Sequence, residues 1–146
     1  MKRSVRVLCL FLTFSMLLAS PVQAASNVEP RGSAFFGAYG AALYKVADAT
    51  FEIWFDVDSN VVAMQEIGVS IIEVYRSTDQ EHWVKMKTYE KDDYPEMIDE
   101  NTGSHTGYVT FDNAVPGFYY TACVIFYAKN STGVGERYVY TQILRM

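Results

Sequence analysis

Cysteine is nearly missing from this 146-residue chain, which has only Cys9 and Cys123. Cys9 sits inside an N-terminal apolar run. Once that run is removed no internal disulfide can form, so a disulfide-stapled scaffold is excluded. Histidine is as scarce, with His82 and His105 alone. Neither stands in a His-x-x-His or Cys-x-x-Cys arrangement, and a zinc site takes three or four such ligands, so no metal centre is expected. Positive charge is short too: 12 Lys+Arg against 17 Asp+Glu give a formal charge of −5. An acidic chain of this kind is a poor partner for nucleic acid or an anionic membrane surface. No repeat, low-complexity run or coiled-coil heptad is present, and the longest apolar run, Val7 to Ala19, falls short of the ~20 residues that span a bilayer.

What is present begins with that run. Lys2, Arg3 and Arg6 precede it, Pro21 breaks it, and Val22-Gln23-Ala24 places small residues at a cleavage site. The pattern predicts a secretory signal peptide over residues 1–24, cut after Ala24, and a secreted, extracellular product. A lipoprotein is disfavoured, because Cys9 starts the apolar run where a lipidated cysteine would follow it. Cleavage lowers Lys+Arg from 12 to 9 against the same 17 acids, taking the formal charge from −5 to −8. Residues 25–32, with Pro30 and Gly32, read as a flexible polar lead-in. Residues 33–146 are then one domain, long enough for a sandwich-sized core.

The most telling stretch runs from Pro116 to Asn130. A Pro-Gly turn leads into residues 118–128, which are dense in β-branched and aromatic side chains, and a polar turn follows. That predicts a strand central in its sheet. Alternation points Tyr120, Ala122, Val124, Phe126 and Ala128 inward and Cys123, Ile125 and Tyr127 outward. Residues 49–57 alternate as cleanly, with Phe51, Ile53, Phe55 and Val57 on one face and Glu52, Trp54 and Asp56 on the other. A first strand is expected over residues 33–46 in preference to a helix through its Ala-rich part. Another is expected over 69–78 with Ile72 and Val74 inward, then a turn at Asp79 and a return strand over 83–89. Residues 107–111 resume with Val109 and Phe111 inward, and a last strand covers 137–144. The connection from Asp58 to Ile67 has a candidate helical turn at residues 61–64. Residues 90–105 read as the longest irregular stretch. Seven short strands separated by Gly, Pro, Asn and Asp turns make an all-β fold, an antiparallel sandwich.

The run Pro116-Gly117-x-x-Tyr120, followed by alternating small and apolar residues, resembles the penultimate strand of a fibronectin type III domain. The resemblance implies that Tyr120 is a structural corner, tying its hydroxyl to nearby backbone. It also implies an Ig-like arrangement with the strands at 33–46, 49–57 and 107–111 in one sheet and the other four in the second. Across almost the whole mature chain the sequence is also similar to a family of small secreted bacterial proteins known as a domain of unknown function. The likeness rests on Arg31-Gly32-Ser33, Glu66-Ile67-Gly68, Ser77-Thr78-Asp79 before Trp83, Tyr94-Pro95-x-Met97, Ser104-His105-x-Gly107 and Phe126-Tyr127-Ala128. It implies secretion and a sandwich, and carries no activity across.

Chemistry-bearing constellations are thin. Ser104 and His105 near an aspartate invite a catalytic triad, but neighbours on an extended chain point opposite ways, and no Gly-x-Ser-x-Gly motif supports a nucleophile. The blander reading is a loop-to-strand turn. Asp92, Asp93, Glu96, Asp99 and Glu100 carry enough carboxylates to interest calcium. They lack the Asp-x-Asp-x-Asp-Gly spacing, so a solvated acidic loop is expected instead. Asn130-Ser131-Thr132 has the form of a glycosylation sequon, which has no meaning in a bacterial producer. No catalytic residue, cofactor or metal ligand is assigned.

The remaining signal is aromatic excess, 11 Tyr and 9 Phe. Parity places Tyr75, Ile125, Tyr127, Tyr138 and Tyr140 on the outer face of one sheet, where polar residues normally lie. An apolar outer face commonly marks a partner site. The expected function is therefore a secreted, non-enzymatic interaction protein whose partner is a protein or a glycan, with a homodimer through this face as one form. The alternative is a carbohydrate-binding module that uses Trp54, Trp83 and tyrosines as stacking platforms.

Overall fold

A computed structural model describes residues 35–60 and 63–146. The expected signal peptide and lead-in, the Arg31-Gly32-Ser33 motif and Val61-Val62 lie outside the described residues. The strands are β1 (Phe36–Ala47), β2 (Thr50–Ser59), β3 (Met64–Ser77), β4 (Val84–Glu90), β5 (Ile98–Thr102), β6 (Ser104–Phe111), β7 (Tyr119–Asn130), β8 (Gly133–Tyr140) and β9 (Leu144–Arg145). A 3-10 turn, Pro95–Met97, precedes β5. All pairings are antiparallel. One sheet has the order β1-β2-β6 and the other β4-β3-β7-β8, with β5 and β9 added beside β3 and β7. This is the all-β sandwich, with the expected division of seven strands between two sheets.

Alternation accounts for the core. Phe51, Ile53, Phe55 and Val57 of β2 face Tyr120, Ala122, Val124, Phe126 and Ala128 of β7, and all are buried. The Phe51 ring lies 5.0 Å from Phe111 and 5.2 Å from Tyr120, so aromatic contacts tie the two sheets at one end. In β3 the inward set changes parity. Ile67 and Val69 point in, a bulge falls between Val69 and Ile71, and Ile72 and Val74 then point in. The extra residue, Ser70, satisfies its hydroxyl on the Ile125 carbonyl at 3.3 Å.

Tyr120 has no exposed surface, and its hydroxyl accepts the Val115 N–H at 2.8 Å. The ring fills the core while the oxygen holds the loop that enters β7.

Three readings of connections are corrected. Ser59 still belongs to β2 and Met64 already begins β3, so of the expected helical turn over residues 61–64, Met64 is strand, while Val61-Val62 lie outside the described residues. The bulge at Ser70 hides this extension from a parity argument. Residues 90–105 are not one irregular stretch: Tyr89 and Tyr94 pack edge to face at 5.0 Å, Met97 is buried, and Ile98–Thr102 pairs with β3. The expected turn at residues 131–135 is tighter, since β8 starts at Gly133, and the last strand divides after Tyr140. There Thr141 supplies side-chain bonds where the ladder stops, its hydroxyl accepting the Ala122 N–H at 3.0 Å.

The sheet edges differ. The Gln142 amide occupies the edge of β1 at Leu43, and the Tyr89 hydroxyl donates to the Thr110 carbonyl of β6 at 2.7 Å. β4 carries Lys85 and Lys87 and meets β3 through a bulge, both of which discourage further pairing. β8 pairs with β7 alone among the described strands.

Candidate functional site: the outer face of the larger sheet

The outward residues of β3, β7 and β8 form rows across the sheet. Register sets Tyr138 beside Ile125 and Ile125 beside Ile71. The next row holds Tyr140, Cys123 and Glu73, and the row beyond it Thr121 and Tyr75. Tyr138 is 71% exposed and Tyr140 59%, while Ile71, Tyr75 and Ile125 are half-buried. The Tyr138 and Tyr140 rings meet edge to face at 6.3 Å. Between them and β7 lies an open groove of about 380 Å³ lined by Cys123, Ile125, Glu136, Arg137, Tyr138 and Tyr140. Ile125, Tyr138 and Tyr140 thus meet around one groove, and Tyr75 lies near Tyr140.

Tyr127 stands apart from this cluster. Its row neighbours are Gly68 and Glu136, and the Lys91 ammonium sits 4.7 Å from its ring centroid. Lys91 and Lys129 both bond Glu66, at 3.2 and 2.8 Å. A cation over the ring and an ion-paired cluster beside it close that end of the face. Sequence reasoning missed Glu136 and Arg137 in the groove. Glu136 shares the outward parity of Tyr138 and Tyr140, but a turn expected through Gly135 placed it outside the strand.

Tyr75 donates to Glu73 at 2.5 Å and Lys85 reaches the same carboxylate at 2.9 Å. The bond from Tyr75 holds the Glu73 carboxyl below its ordinary range. The same bond pushes the Tyr75 hydroxyl up to about 12. Burial raises the Cys123 thiol, which keeps it protonated and unreactive. The neighbouring Cys123 in turn raises Tyr140. Neither histidine lies on this face. The groove is lined by Cys123, Ile125 and the Tyr138 and Tyr140 rings, with Glu136 and Arg137 beside them.

His105 lies in a cradle away from this face. Its Nδ1 meets the Asp99 carboxylate at 2.9 Å and its Nε2 the Glu96 carbonyl at 3.1 Å. Both ring nitrogens are thus engaged within the chain, and neither is open to a substrate. Gly68 lies beneath the same segment: a Cβ there would stand 2.1 Å from the Met97 carbonyl oxygen. The motifs at Glu66–Gly68, Tyr94–Met97 and Ser104–Gly107 therefore meet around the 3-10 turn, where their contacts are architectural. The acidic residues 92–100 are spread along this segment. Among the described residues no group of three or more His, Cys, Asp or Glu could hold a metal ion.

Trp54 and Trp83 do not form one platform. Trp54, on the outer face of the smaller sheet, stacks on Tyr108 at 4.8 Å and donates its indole N–H to Glu52 at 2.7 Å. Trp83 lies at the β3–β4 turn, with its indole N–H on the Gln80 carbonyl at 3.1 Å. Asp79 organises that turn by accepting the backbone N–H groups of Glu81 and His82, both at 2.9 Å. Those bonds, His82 first, hold its carboxyl far below the usual range. No protein-family model matches the chain, and no curated protein does.

Proposed function

We propose that this chain is an exported, non-enzymatic binding domain that engages a protein partner through the outer face of its larger sheet. One observation carries the reading: Tyr138 and Tyr140, 71% and 59% exposed, flank an open groove floored by Ile125 and Cys123. Exposed aromatic area of this kind gains free energy only when a partner covers it. Tyrosine suits that role, burying much surface with few rotatable bonds to immobilise. The leader over residues 1–24 supports export. The test is a photoreactive residue placed at Tyr140, irradiated in the producer's extracellular fluid, with Tyr108 as the control position. A discrete adduct from position 140 alone is expected, on a chain whose first residue is Ala25. Equal labelling from both positions sinks the reading.

A second reading has its own support. The Trp54–Tyr108 pair, 38% and 48% exposed, is a flat platform with its indole fixed by Glu52, the form of surface on which sugar rings stack. It lies on the other sheet, so the two readings separate by mutation. Saturable glycan-array binding lost in Trp54→Ala and kept in Tyr140→Ala would favour the carbohydrate-binding module.

A further inference from the structure

We propose that the occupant of this surface is a second copy of the chain, joined edge to edge through β8 about a two-fold axis at Tyr138. The proposal deepens the binding reading above, because Tyr138 and Tyr140 belong to both the groove and the edge.

The backbone pattern fixes which groups face outward along β8. Thr141 donates its N–H to the Ala122 carbonyl at 2.9 Å, and the register continues from there without a bulge. Hydrogen-bonded and non-bonded pairs alternate along an antiparallel ladder. Tyr140, Tyr138, Glu136 and Val134 therefore occupy the non-bonded positions, and their N–H and C=O groups point away from β7. The Glu136 carbonyl accepts from the exposed Arg137 side chain at 2.7 Å, which a joining strand must displace to take that carbonyl into its ladder. No described strand pairs with this side of β8. Gln142, Tyr89 and the lysines of β4 occupy or guard the other edges, so β8 is where an added strand meets least obstruction.

Charge then narrows the register of such a pair. A two-fold axis perpendicular to the sheet keeps both outer faces on the same side, so outward residues must pair with outward residues. Centring on Glu136 opposes two carboxylates, and centring on Arg137 opposes two guanidiniums. Centring on Tyr138 avoids both: Tyr138 meets its own copy, Arg137 meets Val139, and each Tyr140 meets the partner's Glu136. The last pairing sets a phenol beside a carboxylate, the combination that Tyr75 and Glu73 already make within one chain. The two grooves then join across the axis, covering the exposed rings.

Proline at Tyr138 is the sharp test, since it removes an edge N–H that the β7 ladder does not use. Sedimentation of the intact chain should show a concentration-dependent monomer–dimer equilibrium, and Tyr138→Pro should raise its dissociation constant by at least about tenfold. Tyr44→Lys, 55% exposed on the smaller sheet, should leave it unchanged. A covalent readout guards against misfolding of the proline variant: Tyr138→Cys should oxidise to a disulfide-linked dimer, and Tyr108→Cys should not. A chain that stays monomeric at all concentrations and gives no dimer from Tyr138→Cys overturns the proposal. So does a dimer that Tyr75→Lys dissolves and Tyr138→Pro does not, since it would pack face to face. If the monomeric chain still forms an adduct with a different protein from position 140, self-pairing fails and the binding reading stands. If it forms none, both fail.

Discussion

The Gln142 side-chain amide pairs with the Leu43 backbone as a strand residue would. Its Nε2 donates to the Leu43 carbonyl at 2.8 Å, and its Oε1 accepts the Leu43 N–H at 3.3 Å. One side chain thereby occupies part of the open edge of β1 and links the smaller sheet to the end of β8. Gln142→Ala should destabilise by about 1 kcal/mol, an ordinary net value for lost hydrogen bonding. Gln142→Glu should be worse, because a carboxylate sets an oxygen with no hydrogen against the Leu43 carbonyl. Urea unfolding ranks the three proteins, and a Glu variant as stable as the native chain would rule out the pairing.

Tyr120 and Tyr119 are adjacent, one fully buried and the other half-buried. Tyr120→Phe removes the acceptor of the Val115 N–H and should lower stability by about 1–2 kcal/mol. Tyr119 faces out beneath Arg145, whose guanidinium is 5.6 Å from its ring. Tyr119→Phe keeps the ring and should stay within about 0.5 kcal/mol. The same urea measurement checks both, and equal effects would reverse the inside-outside assignment of β7.

Regular alternation made much of this sandwich legible in advance. Phe51 to Val57 and Tyr120 to Ala128 each repeat with period two, and a half-buried strand has no other way to sort its side chains. The same parity put Ile125, Tyr138 and Tyr140 on one face. The signal fails where a backbone irregularity shifts the count. The bulge at Ser70 reverses parity inside β3, so Met64 to Ile67 read as connection. β5 is hidden for another reason: Ile-Asp-Glu-Asn-Thr is short and acidic, and only its pairing with β3 makes it a strand. The cation over Tyr127 comes from Lys91, which is remote in sequence, so no local pattern could show that one end of the outer face is closed.

Two glycines give opposed expectations. Gly68 has φ of 153°, and any Cβ would strike the Met97 carbonyl. Gly68→Ala should cost about 3 kcal/mol or more, through backbone strain and displacement of the 3-10 turn. Gly40 meets nothing within 4 Å of a built Cβ. Gly40→Ala should therefore be neutral or raise stability by about 0.4–1 kcal/mol, by restricting the unfolded chain. Thermal melts of the two variants should move in opposite directions or differ by several degrees. A Gly68→Ala protein that melts with the native one would mean that β5 and its turn are not packed on β3 as described.

Glu66, Glu73 and Asp79, each held below its ordinary range, set the acid limit together. Lys129, with Lys91 beside it, holds the Glu66 carboxyl below its ordinary 4.5, and Tyr75 and Lys85 do the same for Glu73. A folded-state value below the unfolded one means that the unfolded chain binds protons first as pH falls. The stabilisation from these groups is therefore whole above about pH 5 and is lost as pH drops through 4.5 and below. Tyr75 carries the opposite sign: raised to about 12 from 10.0, it stabilises below pH 10 and stops doing so as pH climbs towards 12. The melting temperature should be flat between these limits and fall on both sides. Glu66→Gln should flatten part of the acid fall and, because Glu66 also raises Lys129, part of the alkaline one, whereas Tyr75→Phe should flatten another part of the alkaline fall. Because Tyr75→Phe also removes a donor to Glu73, it should shift the remaining Glu73 titration upward. An acid limb unchanged in Glu66→Gln would mean that the Lys129–Glu66–Lys91 cluster is solvated rather than paired.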